Sequence, residues 1–254
     1  MPDAVVPITG LLAVVLLVLT AVAVTVTAAG RLGTGRATLL AAVRATLQLA
    51  AVSAVITAVL TSGWLTAAFV GLMFLAASFT AARRVTHHRS GFLVAFPISI
   101  GVAPALALIL GSALVPTTGI AVVPIAGILT GGAMVATSLA GRRALDELDS
   151  RRGEYEAALS LGFVERAAAL EVCRPSAAQA LVPALDQTRT VGLVTLPGAY
   201  VGVLLGGASP LEAGAAQILV LIALLAVQSI AVLITIELIA RGTIAASPHH
   251  RVRG

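Results

Sequence analysis

Long uncharged apolar stretches alternate along the chain with short clusters of arginine. A helix that crosses a hydrocarbon core about 30 Å thick needs roughly 20 apolar residues at about 1.5 Å per residue. Seven stretches meet that need. Ala4 to Gly30 carries no charge and is too long for the core of a signal peptide, so it reads as a retained helix. Arg44 to Arg83 encloses 38 uncharged residues broken at Thr61-Ser62-Gly63, which predicts two helices and a tight outer turn. Arg89 to Arg142 encloses 52 more, broken around Gly111 to Gly119, giving helices four and five. The runs Thr190 to Leu211 and Ala213 to Glu237, separated by Ser209-Pro210, supply helices six and seven. The pattern predicts an all-α integral membrane protein of about seven transmembrane helices, forming one domain over residues 1–254, with a polar, mobile tail from Arg241 to Gly254.

Composition agrees and narrows the chemistry. Hydrophobic residues make up 59% of 254 positions and charged residues 11%, more apolar surface than a water-facing globule can hide. All sixteen basic residues are arginine, so the chain has no P-loop lysine, and ATP and magnesium are expected on a partner subunit. No enzymatic activity and no cofactor is expected in this chain. The single cysteine, Cys173, leaves no disulfide and no thiolate zinc site. The pI near 10.9 reflects arginines flanking a lipid bilayer, and no nucleic-acid partner is expected.

Basic residues near helix ends stay on the cytoplasmic side. With the N-terminus outside and the C-terminus cytoplasmic, the loops near 31–37, 83–90 and 141–176, the tail and the adjoining helix ends hold every arginine. The outer segments then carry only Asp3 and Glu212. An odd helix count satisfies this distribution, and the expected location is the inner (plasma) membrane.

The cytoplasmic loop of about residues 142–176, between helices five and six, differs from the rest. From Arg142 to Arg174 it holds thirteen charged residues in thirty-three, with Leu145, Leu148, Tyr155 and Leu159 spaced for one helical face. Gly162 suits the left-handed end of that helix, Val164 to Val172 forms a second amphipathic stretch, and Pro175 suits the first turn of the next helix. Taken alone, the loop also reads as a solvated surface hairpin.

Glu156-Ala157-Ala158, then Leu161-Gly162, then Val172-Cys173-Arg174-Pro175, resembles the EAA signature of ATP-binding-cassette permeases, with Arg174 where an aliphatic residue is usual. That resemblance implies a helix pair docking on a separate ATPase subunit. Further blocks look like the FetB-type family of iron-export permeases: Arg44-Ala45 with Gln48-Leu49, Val123 to Gly127, Ala133 to Ala136, Leu159 to Gly162, Thr190 to Gly198, Gly202, Gly206-Gly207, Ser209-Pro210 and Gln217-Ile218. The resemblance implies the permease subunit of an ABC transporter that exports iron or another metal. The family commonly has two methionines where this chain has Ala199 and Tyr200, and often asparagine where it has Gly132. It also includes plant members linked to aluminium tolerance and nucleotide-sugar transport, which keeps a non-metal substrate open.

Polar residues in the apolar segments are candidates for the translocation pathway: Arg44, Gln48, Met134, Asp186, Arg189, Tyr200, Gln217 and Glu237. Intramembrane charge is costly and tends to face a cavity. For Asp186 with Arg189, and for Glu237 with Arg241 one turn on, a plain ion pair at the interface is the alternative. Arg44 can equally snorkel to headgroups. Gly198, Gly202 and Gly206 form one stripe and Gly127 with Gly131 another, reading as a dimer seam or as packing within one subunit. Paired ATPases each need a docking element and this chain has one, so a homodimer is expected. The four histidines, at 87, 88, 249 and 250, lie outside the apolar segments, which excludes an intramembrane protease. An ion-driven secondary transporter is expected to show duplicated halves with broken midplane helices, and no duplication is visible in the sequence.

Overall fold

The computed structural model of the chain describes residues 9–245. Asp3, the first residues of the first predicted helix and the tail from residue 246, with His249 and His250, lie outside the described residues. Among the described residues the backbone is almost wholly helical, and its single strand-like feature is an isolated bridge between Val191 and Thr195. The protein is a multi-pass membrane protein, with six helices long and apolar enough to cross a bilayer. Two compact units divide the chain between Val59 and Leu60.

The first unit holds α1 (Gly10–Ala29) and all but the end of α2 (Gly35–Thr61). Leucine, valine and alanine occupy every face of α1, and none of its residues is buried within this unit. The connection turns through Arg31 and Gly33, both in the left-handed region. Gly35 then starts α2 so close to α1 that a methyl there would lie 3.5 Å from Thr27 Oγ1.

The second unit contains α3 (Gly63–Val85), a 3-10 turn at Arg89–Val94, α4 (Ala95–Gly111), α5 (Gly119–Ser150), α6 (Arg152–Ser160), α7 (Glu165–Ala178), α8 (Val182–Thr190), α9 (Gly198–Leu205) and α10 (Pro210–Ala240). Starts are written locally. Ser62 caps α3 by accepting from the Leu65 amide, and α10 opens with Pro210 in its first turn and a capping box between Ser209 and Glu212.

Glycines set the packing directions. A methyl at Gly119 would meet Thr66, one at Gly127 would meet Met73, and one at Gly141 would meet Val85, so α3 and α5 run parallel. Gly132 lies against Leu224 and Gln228, and Gly141 near Thr235, so α5 and α10 are parallel too. Three parallel spans require two return crossings. The segment after α3, through α4, makes the first, and a methyl at Gly101 on α4 would stand 2.8 Å from the Val227 carbonyl oxygen of α10. The second return can only be the chain between α7 and α10. The core follows these contacts: Ala81, Ile98, Leu129, Ala133, Ala140, Val227 and Ala231 are all fully buried where α3, α4, α5 and α10 meet. Arg83 and Arg84, Arg89, Arg142 to Arg152 and Arg241 consequently collect at one end of this unit, and the Ala245 amide closes that end by donating to Ser90 Oγ at 3.2 Å.

Three expectations need correction. The sixth predicted helix, Thr190 to Leu211, is not continuous: α8 stops at Thr190, the backbone is irregular through Pro197, and α9 is only eight residues long. Gly192, at φ 83°, and Pro197 are what break it. The loop predicted from residue 142 begins later, because α5 continues to Ser150 as one 32-residue helix, about 48 Å long. Leu145 and Leu148 therefore sit on α5 while Tyr155 and Leu159 sit on α6. Pro175 does not open a helix but lies inside α7, which ends three residues later at Ala178 and passes into a 3-10 turn.

The backbone contact at Gly101 gives a stability test. Gly101→Ala should destabilise the chain by about 1–3 kcal/mol, because backbone on α10 must move to admit the methyl. Gly71→Ala, on α3 with open space around it, should be neutral or stabilising by up to about 1 kcal/mol. Thermal unfolding of both variants in detergent measures the contrast.

Candidate functional site

At the arginine-rich end, α5 gives way to a hairpin of short helices. Arg151 marks the corner and is held from both sides. It donates to Glu147 Oε1 at 3.3 Å on α5 and to Glu154 Oε1 at 2.7 Å on α6, with a second contact to Glu154 Oε2. These bonds, Glu154 first and Glu147 second, raise the Arg151 pKa further above its ordinary value, and Arg151 in turn lowers that of Glu154. Arg152 reaches Glu156 at 2.8 Å one turn along α6.

The turn from α6 to α7 is a Schellman motif. The Gly162 amide donates to the Leu159 carbonyl and the Phe163 amide to the Ala158 carbonyl, with Gly162 at φ 92°. This motif leaves Leu161, Phe163 and Val164 exposed at the tip, Leu161 by 81%. Apolar side chains on a hydrophilic hairpin are the unusual observation here. Of the predicted coupling residues, Glu156 and Ala157 are exposed, Ala158 is half-buried and Pro175 is exposed on α7. Sequence reading named Leu161 but not Phe163 or Val164, although the apolar pair directly after Gly162 was the available signal.

The base of the hairpin is fixed to the membrane helices. Ala168, Ala169, Cys173 and Ala177 are small and buried, which lets α7 approach α5 and α10 closely. Arg166 grips Glu237 on α10 with both arms of its guanidinium, Nε to Oε1 at 2.6 Å and Nη2 to Oε2 at 2.8 Å. Arg241 joins the same carboxylate at 2.6 Å, and the bond to Glu237 raises the Arg166 pKa. Arg143 donates to Gln179 Oε1 at 3.0 Å, tying α5 to the 3-10 turn after α7. A cleft of about 650 Å³ lies between these elements, lined by Leu148, Tyr155, Glu165, Arg166, Arg241 and Ile244 among others.

The predicted pathway residues lie on α2, α5, α8, α9 and α10. Arg44 and Gln48 are exposed on α2, in the first unit. Met134 is half-buried on α5, and Gln217 is buried on α10 with Oε1 lacking any hydrogen-bond partner. Asp186 and Arg189 form an exposed pair at 3.7 Å on α8, Tyr200 is half-buried on α9, and Glu237 belongs to the arginine clamp. Among the described residues no group of three or more His, Cys, Asp or Glu side chains is placed to hold a metal ion. The glycine stripes are equally selective. Gly131, Gly198 and Gly202 have nothing within 4 Å of a would-be methyl, Gly206 meets only its own helix, and Gly127 meets the flexible end of Met73. The close intrachain approaches lie at Gly101, Gly119, Gly132 and Gly141, which sequence spacing did not single out.

The profile of the uncharacterised protein family UPF0014 matches residues 8–244. The chain is 35% identical over 205 residues to the UPF0014 membrane protein STAR2 of Oryza sativa subsp. japonica, covering 79% of this chain and 72% of that protein. It is 35% identical over 161 residues to protein ALUMINUM SENSITIVE 3 of Arabidopsis thaliana, covering 63% and 59% of the two chains. Against the "Probable iron export permease protein FetB" of Escherichia coli (strain K12) the identity is 32% over 159 residues, covering 62% and 61%. No solved structure matches the chain.

Cys173 reports on the seat of α7. Its side chain is fully buried, and burial pushes its thiol pKa up, so the reactive thiolate forms only at higher pH than in a free cysteine. Iodoacetamide at pH 8 should alkylate Cys173 at least about tenfold more slowly than a free thiol, and rapidly once the chain is denatured. Fast labelling of native protein would show that α7 is not docked against α5.

Proposed function

Because the chain belongs to the UPF0014 family, we propose that it is the membrane-spanning permease subunit of an ATP-binding-cassette transporter, working as a homodimer with a separate ATP-binding subunit. The observation that carries this reading is the α6–α7 hairpin: an EAA-like sequence folded as two short helices, with an exposed apolar tip and a base clamped to both α5 and α10. Such a hairpin has what a coupling element requires. Its tip offers Leu161, Phe163 and Val164 to a partner, while Arg166 and the alanine face of α7 would pass displacement to the membrane helices. ATP and magnesium belong to the partner in this reading, and this chain carries no catalysis of its own.

The cargo we propose is iron or another metal ion, moved outward, supported by the similarity to the iron export permease. A nucleotide sugar is the alternative cargo class. One observation bears on an ion-driven secondary transporter, namely the broken segment between α8 and α9, since broken helices mark the binding sites of such proteins. The break has no counterpart in the first half of the chain, where α2, α3 and α4 each run uninterrupted. Inverted duplication is thus missing among the described residues, and the ABC reading accounts for the hairpin, which a secondary transporter has no use for.

Gly162→Val tests the hairpin. Valine at a left-handed position costs about 1–2 kcal/mol and has no nearby atoms to blame, so the lesion is confined to the turn. The variant should reach the membrane in normal amount yet co-purify poorly with its ATPase and lose ATP-dependent transport. Full binding and full transport would reduce the hairpin to a solvated surface feature.

The clamp supplies a second test. Arg166→Glu should repel Glu237 and diminish substrate stimulation of the ATPase, while combining it with Glu237→Arg should restore stimulation. Failure of the double variant to recover would mean that the pair does not transmit the stroke.

A further inference from the structure

Among the described residues, the second return crossing is the place where membrane-depth backbone is not helical. Parallel α5 and α10 force the chain to cross between α7 and α10, starting beside Arg143 through Gln179 and finishing at Ser209, where α10 begins. Nine residues of helix precede the break and eight follow it, so Val191–Pro197 falls near the middle of the crossing.

Its hydrogen bonds are few. The amides of Leu193, Val194 and Thr195 all donate to the Thr190 carbonyl, and the Gly192 amide donates to Thr195. The carbonyls of Val191, Gly192, Leu193, Val194 and Leu196 accept no hydrogen bond among the described residues. No side chain caps the start of α9, which begins immediately after the break. Hydrocarbon offers such groups nothing, and irregular backbone persists at this depth only when covered by protein or lining water. Within the second unit it is uncovered, for Leu193 is 92% and Val194 76% exposed. α8 and α9 both pack against α10, and Gly198 and Gly202 have open space around them. A second copy can approach closely there, yet two such breaks pressed together without water would still leave carbonyl facing carbonyl.

We propose that Val191–Pro197 is the midpoint of a water-filled passage that the chain completes only with a second copy of itself. The unpaired carbonyls of the two breaks face across it and replace part of the water shell of a hydrated cation. Carbonyl oxygens are hard donors suited to such a ligand. The cation rests on the permease reading, whereas the passage and its seam follow from the backbone alone.

Single cysteines at Leu193, Val194 and Leu75 test this in the full chain reconstituted in vesicles, without any ATPase. Leu75 is an exposed α3 residue that serves as the lipid-facing reference, and buried native Cys173 stays in place as a silent control. The cysteines at 193 and 194 should react with a charged methanethiosulfonate at least tenfold faster than that at 75, and should form disulfide-linked dimers under mild oxidation. Mn(II) alone should slow their modification at least twofold. Equal rates at all three positions would place the break in lipid and overturn the passage. Cross-linking without reaction with the charged reagent would mean a dry seam and overturn it as well. Modification that Mn(II) does not slow would overturn the cation site. If these results hold while no ATPase binds the chain, the ABC reading falls and the passage stands.

Discussion

In hydrocarbon a backbone amide or carbonyl finds no water, so each must be satisfied within the protein. That constraint makes nearly every described residue helical, and it reaches the side chains as well. The hydroxyls of Thr20, Thr27, Thr46, Thr80, Ser99, Ser138 and Thr235 turn back to carbonyls on the preceding turn of their own helices. Long helices that have spent their polar groups internally can meet only through shape. Gly101 supplies that shape by letting α4 approach the backbone of α10, and Gly132 and Gly141 by making room on α5 for side chains of α10 and α3. The departure at Val191–Pro197 matters because it leaves a run of backbone carbonyls unpaired at membrane depth.

Outside the hydrocarbon the constraint relaxes and charge takes over. α5 is about 48 Å long, well beyond the roughly 30 Å it needs to span, and its last turns run into an acidic and basic network without interruption. The ion pairs there are exposed or half-buried, and pairs so open to solvent add little stability one by one. Their value is geometric. Arg151 fixes the angle between α5 and α6, and the forked bond from Arg166 to Glu237 fixes α7 to α10, so the hairpin is a rigid extension of the membrane helices.

The long uncharged runs made α1 to α5 and α10 legible, since length and apolarity alone identify a span. Gly162 was legible because a glycine ending an amphipathic stretch has few other uses. The sixth segment misled because Thr190 to Leu211 is as apolar as its neighbours, and hydropathy does not register that Gly192 and Pro197 interrupt it. Glycine spacing alone did not separate contacts within the chain from contacts with a second copy. Gly198, Gly202 and Gly206 repeat at helical intervals on a helix that meets few neighbours of its own chain, whereas Gly101 and Gly141 stand at the crossings without any sequence pattern to announce them. The Arg166–Glu237 pair spans 71 positions and was illegible in principle, although Glu237 itself was marked by being a charge in an apolar run.

The hairpin and the helices that flank the break share one neighbour, α10. α10 packs against α7, with Arg166 on Glu237, and also against α8 and α9, and it is about 46 Å of helix without a proline or glycine between Gly214 and Ala240. A force that displaced the hairpin would arrive at α10 through the arginine clamp and travel along it as a rigid body, because nothing in that stretch can hinge. The break is the element that such a motion would strain most. It has few internal hydrogen bonds, glycine at Gly192 to absorb a change of backbone angle, and flanking helices α8 and α9 that both pack against α10. Stiffness in α10 and compliance in Val191–Pro197 are therefore complementary: one carries the displacement through the bilayer, and the other is where the chain can change shape in response.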